Sequence, residues 1–244
     1  MPKSKYDKIY FILKQRIETE EYEYQQLLPS ENMLVQEFAC SRNTVRRAIQ
    51  ALLADGYVQA MKGKGVRVIF QRGNHSHFLL SGIESFPEAI ARNGIQQYTK
   101  VIHFEELTID SKRNKKTGIP VGTPVYYIQR VRFLNDVPLI LDHNYFVKEA
   151  TEGLTPQIAE QSVYQYLENQ LNMVITTTRR TITVEPATQL DEQNLELNGC
   201  NCVAVVTNAT FNSDGIMFEF TQSRHSPKHF EFHDIAQRNK YTSL

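Results

Sequence analysis

Cysteine is scarce in this chain. Three occur in 244 residues, Cys40, Cys200 and Cys202, and an odd number at unrelated spacings excludes a disulfide framework. Cys200 and Cys202 lie one residue apart with no histidine pair at metal-ligand spacing beside them, so two structural thiols are expected and no metal or other cofactor. Long apolar runs are missing too: no segment approaches the roughly 20 apolar residues that span a bilayer. The opening from Met1 to Lys8 is polar and charged rather than a basic flank leading into an apolar stretch. Together these predict a soluble, cytoplasmic protein with neither signal peptide nor membrane anchor. Net charge is absent as well, with 27 Lys and Arg against 27 Asp and Glu, but only in sum. Residues 1–72 hold 12 basic against 8 acidic side chains, a net of +4, and the remainder holds 15 against 19, a net of −4. The front of the chain is therefore the candidate for binding a polyanion.

What is present is enough to bury cores. Hydrophobic residues make up 41% and aromatics 10%, and the length fits two ordinary domains. Tyr6, Ile9, Leu13 and Ile17 recur at helical spacing, which predicts a first helix over about 5–20. Leu28 and Pro29 end the connection, and Ser30 is placed to cap a short second helix carrying Leu34 and Phe38, with Met33 at the third position in place of the Glu of a full capping box. After a tight turn at Ala39 and Cys40, Ser41 caps a third helix whose apolar stripe is Val45, Ala48, Ile49, Leu52 and Leu53. Arg42, Asn43, Arg46, Arg47 and Gln50 project from its other face. Guanidinium groups bond bidentately to guanine in the major groove, and Asn or Gln does the same for adenine, so this set suits base recognition. By itself the face is equally readable as a solvated basic helix surface.

The next residues shift that balance. Asp55 and Gly56 close the helix, a strand follows over 57–60, and Lys62-Gly63-Lys64-Gly65 forms a basic tight turn before a second strand over 66–70. Such a hairpin is a wing, in which Lys62, Lys64 and Arg67 can meet phosphates or enter the minor groove. With L-P-S-E at Leu28–Glu31, S-R-N-T-V-R-R-A at Ser41–Ala48 and G-K-G at Gly63–Gly65, the region resembles the GntR family of bacterial repressors. The resemblance implies that Ser30 and Glu31 lie where the second helix meets the DNA backbone, that Arg42, Thr44 and Arg46 are recognition-helix contacts, and that Gly63–Gly65 is the wing tip. Arg47 is open to a second reading, as a surface residue of the domain.

A polar stretch with Gly73, Asn74 and Ser76 reads as a linker over 73–78, dividing a winged helix-turn-helix domain at 1–72 from a larger domain at 79–244. The second domain reads as α+β around a mainly antiparallel sheet. Helices are expected over about 84–92, 162–171 and 188–197, and strands over about 99–107, 125–134, 138–146, 174–185, 203–211 and 216–225. Asn135-Asp136 and Asp214-Gly215 are placed as turns. This arrangement resembles the UTRA effector domain of the HutC branch of the GntR family, a fold shared with a chorismate-cleaving lyase. S-G-I-E-S-F (Ser81–Phe86), L-D-H-N-Y-F (Leu141–Phe146), S-V-Y-Q-Y-L-E (Ser162–Glu168), V-E-P (Val184–Pro186) and E-F-T-Q-S-R-H (Glu219–His225) are similar to trehalose operon repressors of that branch. The implied inducer is trehalose 6-phosphate.

A sugar phosphate asks for fixed guanidinium groups at one end and hydroxyl-binding groups at the other. Arg130 and Arg132, two apart on a strand, point to one face; facing an apolar core they would be costly, so they are expected either in solvent or around a ligand anion. Ser81 and Ser85 flank the start of the first sensor helix, and Ser162 caps the helix carrying Tyr164. The resemblance places these groups around the phosphate. Asp142, Glu219, Ser223 and His225 fall at the sugar end, with Asn144 and Thr221 on the same strand faces, although half-exposed strands have such polar faces in any case. Gln222 stands where some relatives carry an acidic residue, which bears on sugar specificity. The remaining histidines, among them His75, His77 and His103, show no catalytic or ligand spacing. Nothing resembles a nucleophile with its base or a phosphate loop, so a lyase-like enzyme is the weaker alternative. A second alternative keeps the architecture but changes the effector, for example to N-acetylglucosamine 6-phosphate. One wing and one short helix read too few bases for genomic specificity, which predicts a homodimer on a palindromic operator, paired through the second domain.

Overall fold

In the computed structural model the described residues are 4–71 and 97–232, and they fall into two compact units. The linker at 73–78, the helix expected over 84–92 and Ser81 and Ser85 lie outside them.

The first unit begins with α1 (Lys5–Glu18), capped by Ser4 and Asp7 in a reciprocal box. α2 (Glu31–Glu37) is capped by Ser30, whose Oγ accepts from Met33 N at 3.3 Å. α3 (Arg42–Ala54) is capped by Ser41, whose Oγ accepts from Thr44 N at 3.2 Å. The antiparallel hairpin of β1 (Val58–Met61) and β2 (Gly65–Val68) follows. The stretch Gln25–Leu28 lies along β2, with Leu28 N donating to Val66 O and Val68 N to Gln26 O, so the wing is tied to the segment before α2 by an antiparallel bridge between Leu27 and Arg67. The core is the stripe the sequence predicts, with Ile9, Leu13, Ile17, Val45, Ala48, Ile49 and Leu52 buried together with Leu28, Leu34, Tyr57, Val58 and Val68. Leu53 is only half-buried and packs at its margin.

The second unit is a six-stranded antiparallel sheet of β3 (Gln97–Thr108), β4 (Pro124–Leu134), β5 (Val137–Val147), β6 (Ile175–Pro186), β7 (Cys202–Asn212) and β8 (Met217–His225), in the spatial order β3-β4-β5-β8-β7-β6. The predicted turn at Asn135-Asp136 joins β4 to β5, both residues at positive φ (48° and 63°), the pattern of the tight hairpin turn that matches strand twist. Among the described residues four α-helices accompany the sheet: α4 (Ser111–Thr117), α5 (Pro156–Glu160), α6 (Val163–Asn169) and α7 (Gln189–Asn194). α5 and α6 cover one face through Tyr126, Ile128, Phe146, Ala159, Val163, Leu167 and Phe218. The other face buries Val131, Leu141, Leu195, Val203 and Val205 at one end and Ile109, Ile119, Val125, Tyr145 and Phe220 at the other. α4 and α5 are additions to the sequence reading. α4, with the sequence SKRNKKT, has no apolar stripe to betray it and is fixed by its ends: Asp110 accepts from Arg113 N, and Gly118 takes the left-handed φ of 74°. No helix among the described residues is long and apolar enough to cross a membrane.

Because Leu13 is completely buried where α1 meets α3, Leu13→Ala is expected to destabilise the first unit by about 2–5 kcal/mol. Urea unfolding followed by circular dichroism, with the second unit's transition as internal reference, measures it; a loss below 1 kcal/mol would contradict this packing.

Candidate functional site

Two groups of residues stand out, one on each unit. On the first, Arg42, Asn43, Arg46, Arg47 and Gln50 are all exposed on α3, opposite its buried stripe. Their settings differ. Arg46 Nε donates to both carboxylate oxygens of Glu31 at 3.0 Å, tying the start of α2 to the exposed face of α3 and holding one guanidinium in a fixed direction. The same carboxylate pushes the Arg46 pKa up, so it remains cationic. Arg47 lies over the Tyr6 ring, 4.1 Å from its centroid, a cation–π contact that supports its reading as a surface residue of the domain. Thr44 is half-buried with its hydroxyl 2.9 Å from Ser41 Oγ. In the wing, Lys62, Gly63, Lys64 and Gly65 are exposed, with Gly63 and Gly65 at φ of 74° and 103°. The turn is closed by Lys64 N donating to Met61 O, and a side chain at either glycine would strain it. Arg67 faces the other way: its NH1 donates to Gln25 O at 2.8 Å, so it anchors the wing to the body.

On the second unit, strand alternation brings the separate polar lines onto one sheet face. Arg130 pairs across with Asp142, which pairs with Ser223; one step along, Asn144 pairs with Thr221, and then Phe146 with Glu219 and Glu219 with Thr210. The side chains form a continuous network. Arg132 Nε donates to Asp142 Oδ2 at 2.6 Å, the Ser223 hydroxyl donates to Oδ1 at 2.6 Å, and Arg130 NH2 lies 3.6 Å from Oδ2. Arg130 also donates to Asn144 Oδ1 (2.9 Å) and to Ala159 O of α5 (3.1 Å). Asn144 Nδ2 donates to Thr221 Oγ1, Thr221 donates to Glu219 Oε1, and the Tyr164 hydroxyl of α6 donates to Glu219 Oε2 at 2.6 Å. Ser162 caps α6, its Oγ accepting from Gln165 N. His225 is buried on the same face, its ring 4.9 Å from that of Phe230. Thr210, Arg180 and Asn208, with Arg180 Nε donating to Asn208 Oδ1 at 2.9 Å, extend the polar face toward β6. Sequence reading passed over these three, although their alternation along β6 and β7 was the available signal.

Burial shapes the charges here. It lowers the Arg130 pKa to about 10, Arg132 adding to the effect while Asp142 and Glu219 oppose it. Burial alone would raise the Asp142 carboxyl; Arg132, Arg130 and the Ser223 hydroxyl outweigh it and keep the group ionised. Burial and the adjacent Glu219 carboxylate push the Tyr164 phenol well up, so it stays a donor. Burial also lowers His225 to about 4, leaving the ring neutral at pH 7.

The structure bears on two expectations. Of the two settings open to the arginine pair, solvent does not hold for Arg130, which is 4% exposed, and Asp142, at 0%, supplies a compensating anion from within the protein. Gln222 does not belong with Glu219 and Ser223. Alternation turns Phe220, Gln222 and Arg224 to the opposite face, where Arg224 Nε donates to Asp191 and NH1 to Glu185, so the departure at 222 lies away from this network.

A helix face that presents guanidinium and amide groups beside a basic wing, joined in one chain to a sheet domain with a buried polar network, defines a transcriptional regulator with a DNA-binding head and a small-molecule sensor. Residues 5–68 match the gntR family of bacterial regulatory proteins, and residues 92–231 match the UTRA domain. The chain is 33% identical to the HTH-type transcriptional regulator TreR of Bacillus subtilis (strain 168) over 98% of this chain and 100% of that one. It is 29% identical to the regulator GmuR of the same organism, over 91% and 94%. Among solved structures, the effector-binding domain of B. subtilis TreR superposes with a TM-score of 0.53 at 31% identity, covering 59% of this chain and 99% of that one. The possible transcriptional regulator YydK of B. subtilis superposes with a TM-score of 0.80 at 19% identity over 97% and 100%, a likeness of fold. The chain belongs to the GntR family, with a UTRA domain of the HutC type. It is a regulator of transcription and not an enzyme, and the lyase alternative finds no support.

Removing the shared anion strands two guanidinium charges, so Asp142→Ala is expected to destabilise the second unit by about 3–5 kcal/mol, measured by urea unfolding; a change under 1 kcal/mol would mean that solvent reaches the pair. The buried imidazole gives a separate signature. The unfolded chain takes up the His225 proton near pH 6.5 and the folded chain only near 4, so this contribution is complete above pH 6.5 and is lost as pH falls toward 4, by at most roughly 3 kcal/mol. Asp142, held ionised, titrates below that window. His225→Gln should flatten the stability profile between pH 6.5 and 4.5, and an unchanged slope would show that the ring is not protected from protons.

Proposed function

We propose that this regulator represses a trehalose-utilisation operon, binding a palindromic operator as a homodimer and leaving it when trehalose 6-phosphate occupies the polar face of the sensor. The observation that carries the reading is the 33% identity to TreR along essentially the whole of both chains, together with a network of the polarity that a phosphorylated sugar requires. In this reading residues 1–72 are the DNA-binding domain and 79–244 the sensor, joined through 73–78.

Arg42, Asn43, Thr44 and Arg46 read base edges in the major groove, with Glu31 orienting Arg46, while Ser30 lies at the backbone and Lys62–Gly65 reaches phosphates or the minor groove. In the sensor, Arg130, Arg132, Ser162 and Tyr164, with Ser81 and Ser85, serve the phosphate. Asp142, Glu219, Ser223 and His225 serve the sugar hydroxyls. A phosphate arriving at Arg132 competes with Asp142 for its donors, so binding re-pairs an existing network instead of filling an unpaired one. To empty the operator, the ligand must favour the released geometry of the dimer by a few kcal/mol.

Calorimetric titration of the full chain with trehalose 6-phosphate, trehalose and N-acetylglucosamine 6-phosphate tests the effector. Micromolar affinity for the first alone, about −8 kcal/mol, is expected; selective binding of the amino sugar, or of none of the three, would keep the regulator and discard the trehalose assignment. Gel shifts test the residue roles. Arg42→Ala and Arg46→Ala should abolish operator binding with ligand affinity intact, and Arg130→Ala should bind DNA but fail to respond to effector. The reverse pattern would overturn the placement of the two sites.

A further inference from the structure

The face of the sheet turned away from Asp142 carries a polar row that the sensor network does not use. It crosses all six strands: His103 pairs with Gln129, Gln129 with His143, His143 with Gln222, Gln222 with Thr207 and Thr207 with Thr181. To one side Tyr145 and Phe220 pack with Ile109 and Ile119, which flank α4; to the other Leu141 and Val205 pack with Leu190 of α7 and Leu195. The row is the floor between these two covered ends, and Gln129, His143, Gln222 and Thr207 are all half-buried on it. Its hydrogen bonds leave several groups open. Gln129 Nε2 donates to the Tyr127 hydroxyl at 2.8 Å and lies 3.4 Å from His143 Nδ1, which the same hydroxyl meets at 2.8 Å. Burial pushes the Tyr127 phenol up to about 12 and, helped by the charges of Lys116 and Arg224, lowers His143 to about 4, so both are neutral at pH 7. With two donors at Nδ1, the ring carries its proton on Nε2. Among the described residues no protein group accepts that proton, and Gln129 Oε1 and the Gln222 amide are also without a protein partner; none of these atoms is shut off from solvent.

We propose that the centre of this row, Gln129, His143 and Gln222 with Tyr127 beside them, is a second ligand site and that it takes a neutral sugar. The inference is independent of the trehalose 6-phosphate reading and of the face that reading uses. The charges around the row speak against an anion. Arg224 is held by Asp191 and Glu185, and Glu185 is also the carboxylate that acts on Lys116, so two cations and two carboxylates border the site without the excess of cations found at Arg130 and Arg132. The open groups are neutral and of both kinds. Each Gln amide donates and accepts and the His143 Nε2–H donates, which suits hydroxyl groups that themselves do both. The Tyr127 ring, 4.7 Å from that of Tyr145 and 5.7 Å from that of His103, supplies an aromatic surface for the C–H face of a pyranose. Neighbouring strands lie about 4.8 Å apart, so Gln129 to Gln222 spans about 10 Å, enough for one or two sugar rings.

Two histidines report the two faces separately. In the full chain, NMR follows the ring Cε1–H signals of His143, in this row, and of His225, in the sensor network, each assigned by its loss in His143→Gln or His225→Gln. Glucose, trehalose, sodium phosphate and sodium acetate are titrated in turn to concentrations well above millimolar. A neutral sugar should shift the His143 signal saturably, with a dissociation constant in the millimolar range, and leave His225 in place. Gln222→Ala, at a half-buried position outside the cores, should weaken that response by about tenfold while the unfolding midpoint of the second unit stays unchanged. A His143 signal that no sugar moves overturns the site. A signal moved by phosphate or acetate but by neither sugar overturns the ligand class, and a sugar response confined to His225 assigns the sugar to the sensor network and overturns the proposal. Equal affinity in Gln222→Ala also overturns it, because the row would then take no part in binding.

Discussion

The sensor is organised around one buried carboxylate. Asp142 sits at 0% exposure in β5, one of the two central strands of the sheet, and accepts from Arg132 and Ser223 while Arg130 stands 3.6 Å away. An isolated ion at that depth would cost several kcal/mol and lose its charge; flanked by two guanidinium groups and a hydroxyl, it stays ionised. The same arrangement decides what the face can bind. One carboxylate between two arginines leaves a local excess of positive charge, and Glu219, which offsets it, lies farther along β8 and is occupied by Tyr164 and Thr221. In the reading proposed above, the anion lies at the arginine end and the hydroxyl groups toward Glu219, in keeping with that difference in charge.

The DNA-binding head uses the same chemistry in solvent, with different energetic weight. Glu31 and Arg46 are both exposed, and an ion pair in water contributes little to stability. Its effect is on direction: a long side chain held through Nε presents its terminal nitrogens with fewer rotamers to lose on meeting a base. Arg47 on Tyr6 and Arg67 on Gln25 are fixed as well, but to the body of the unit. Of the cations that the sequence offers as equivalent, the fold thus reserves some for the outside and spends others on its own cohesion.

How much of this was legible in sequence follows from the range of each interaction. Caps and periodicity act within one or two turns, and Ser30, Ser41 and the Val45–Leu52 stripe reveal α2 and α3 directly. Asn135-Asp136 and Asp214-Gly215 reveal their hairpins for the same reason. α4 has no stripe, because a seven-residue polar helix is held by its caps and by the neighbouring Ile109 and Ile119 and leaves no apolar period of its own. In the sensor, alternation within a strand is local and could be read, which put Arg130 with Arg132 and Asp142 with Asn144. Which strands neighbour each other is not local. That Asp142 is the counter-ion of the arginines depends on β5 lying beside β4, and that Ser223 completes it depends on β8 lying on the other side of β5.

That neighbourhood also limits how the sensor can respond. β8 is held on both faces: Ser223 bonds Asp142 on one, and on the other Arg224 is fixed by Asp191, Glu185 and the Pro186 carbonyl. Sliding β8 by one residue would turn Arg224 onto the network face and Ser223 onto the other, breaking two buried charge systems at about 3–5 kcal/mol each. An effector that shifts an equilibrium by a few kcal/mol cannot meet that cost. The remaining freedom lies in side-chain re-pairing, and of the two guanidinium groups that of Arg132, at 15% side-chain exposure against 4% for Arg130, is the less deeply buried. In the reading proposed above, effector binding therefore acts on a sheet that keeps its register.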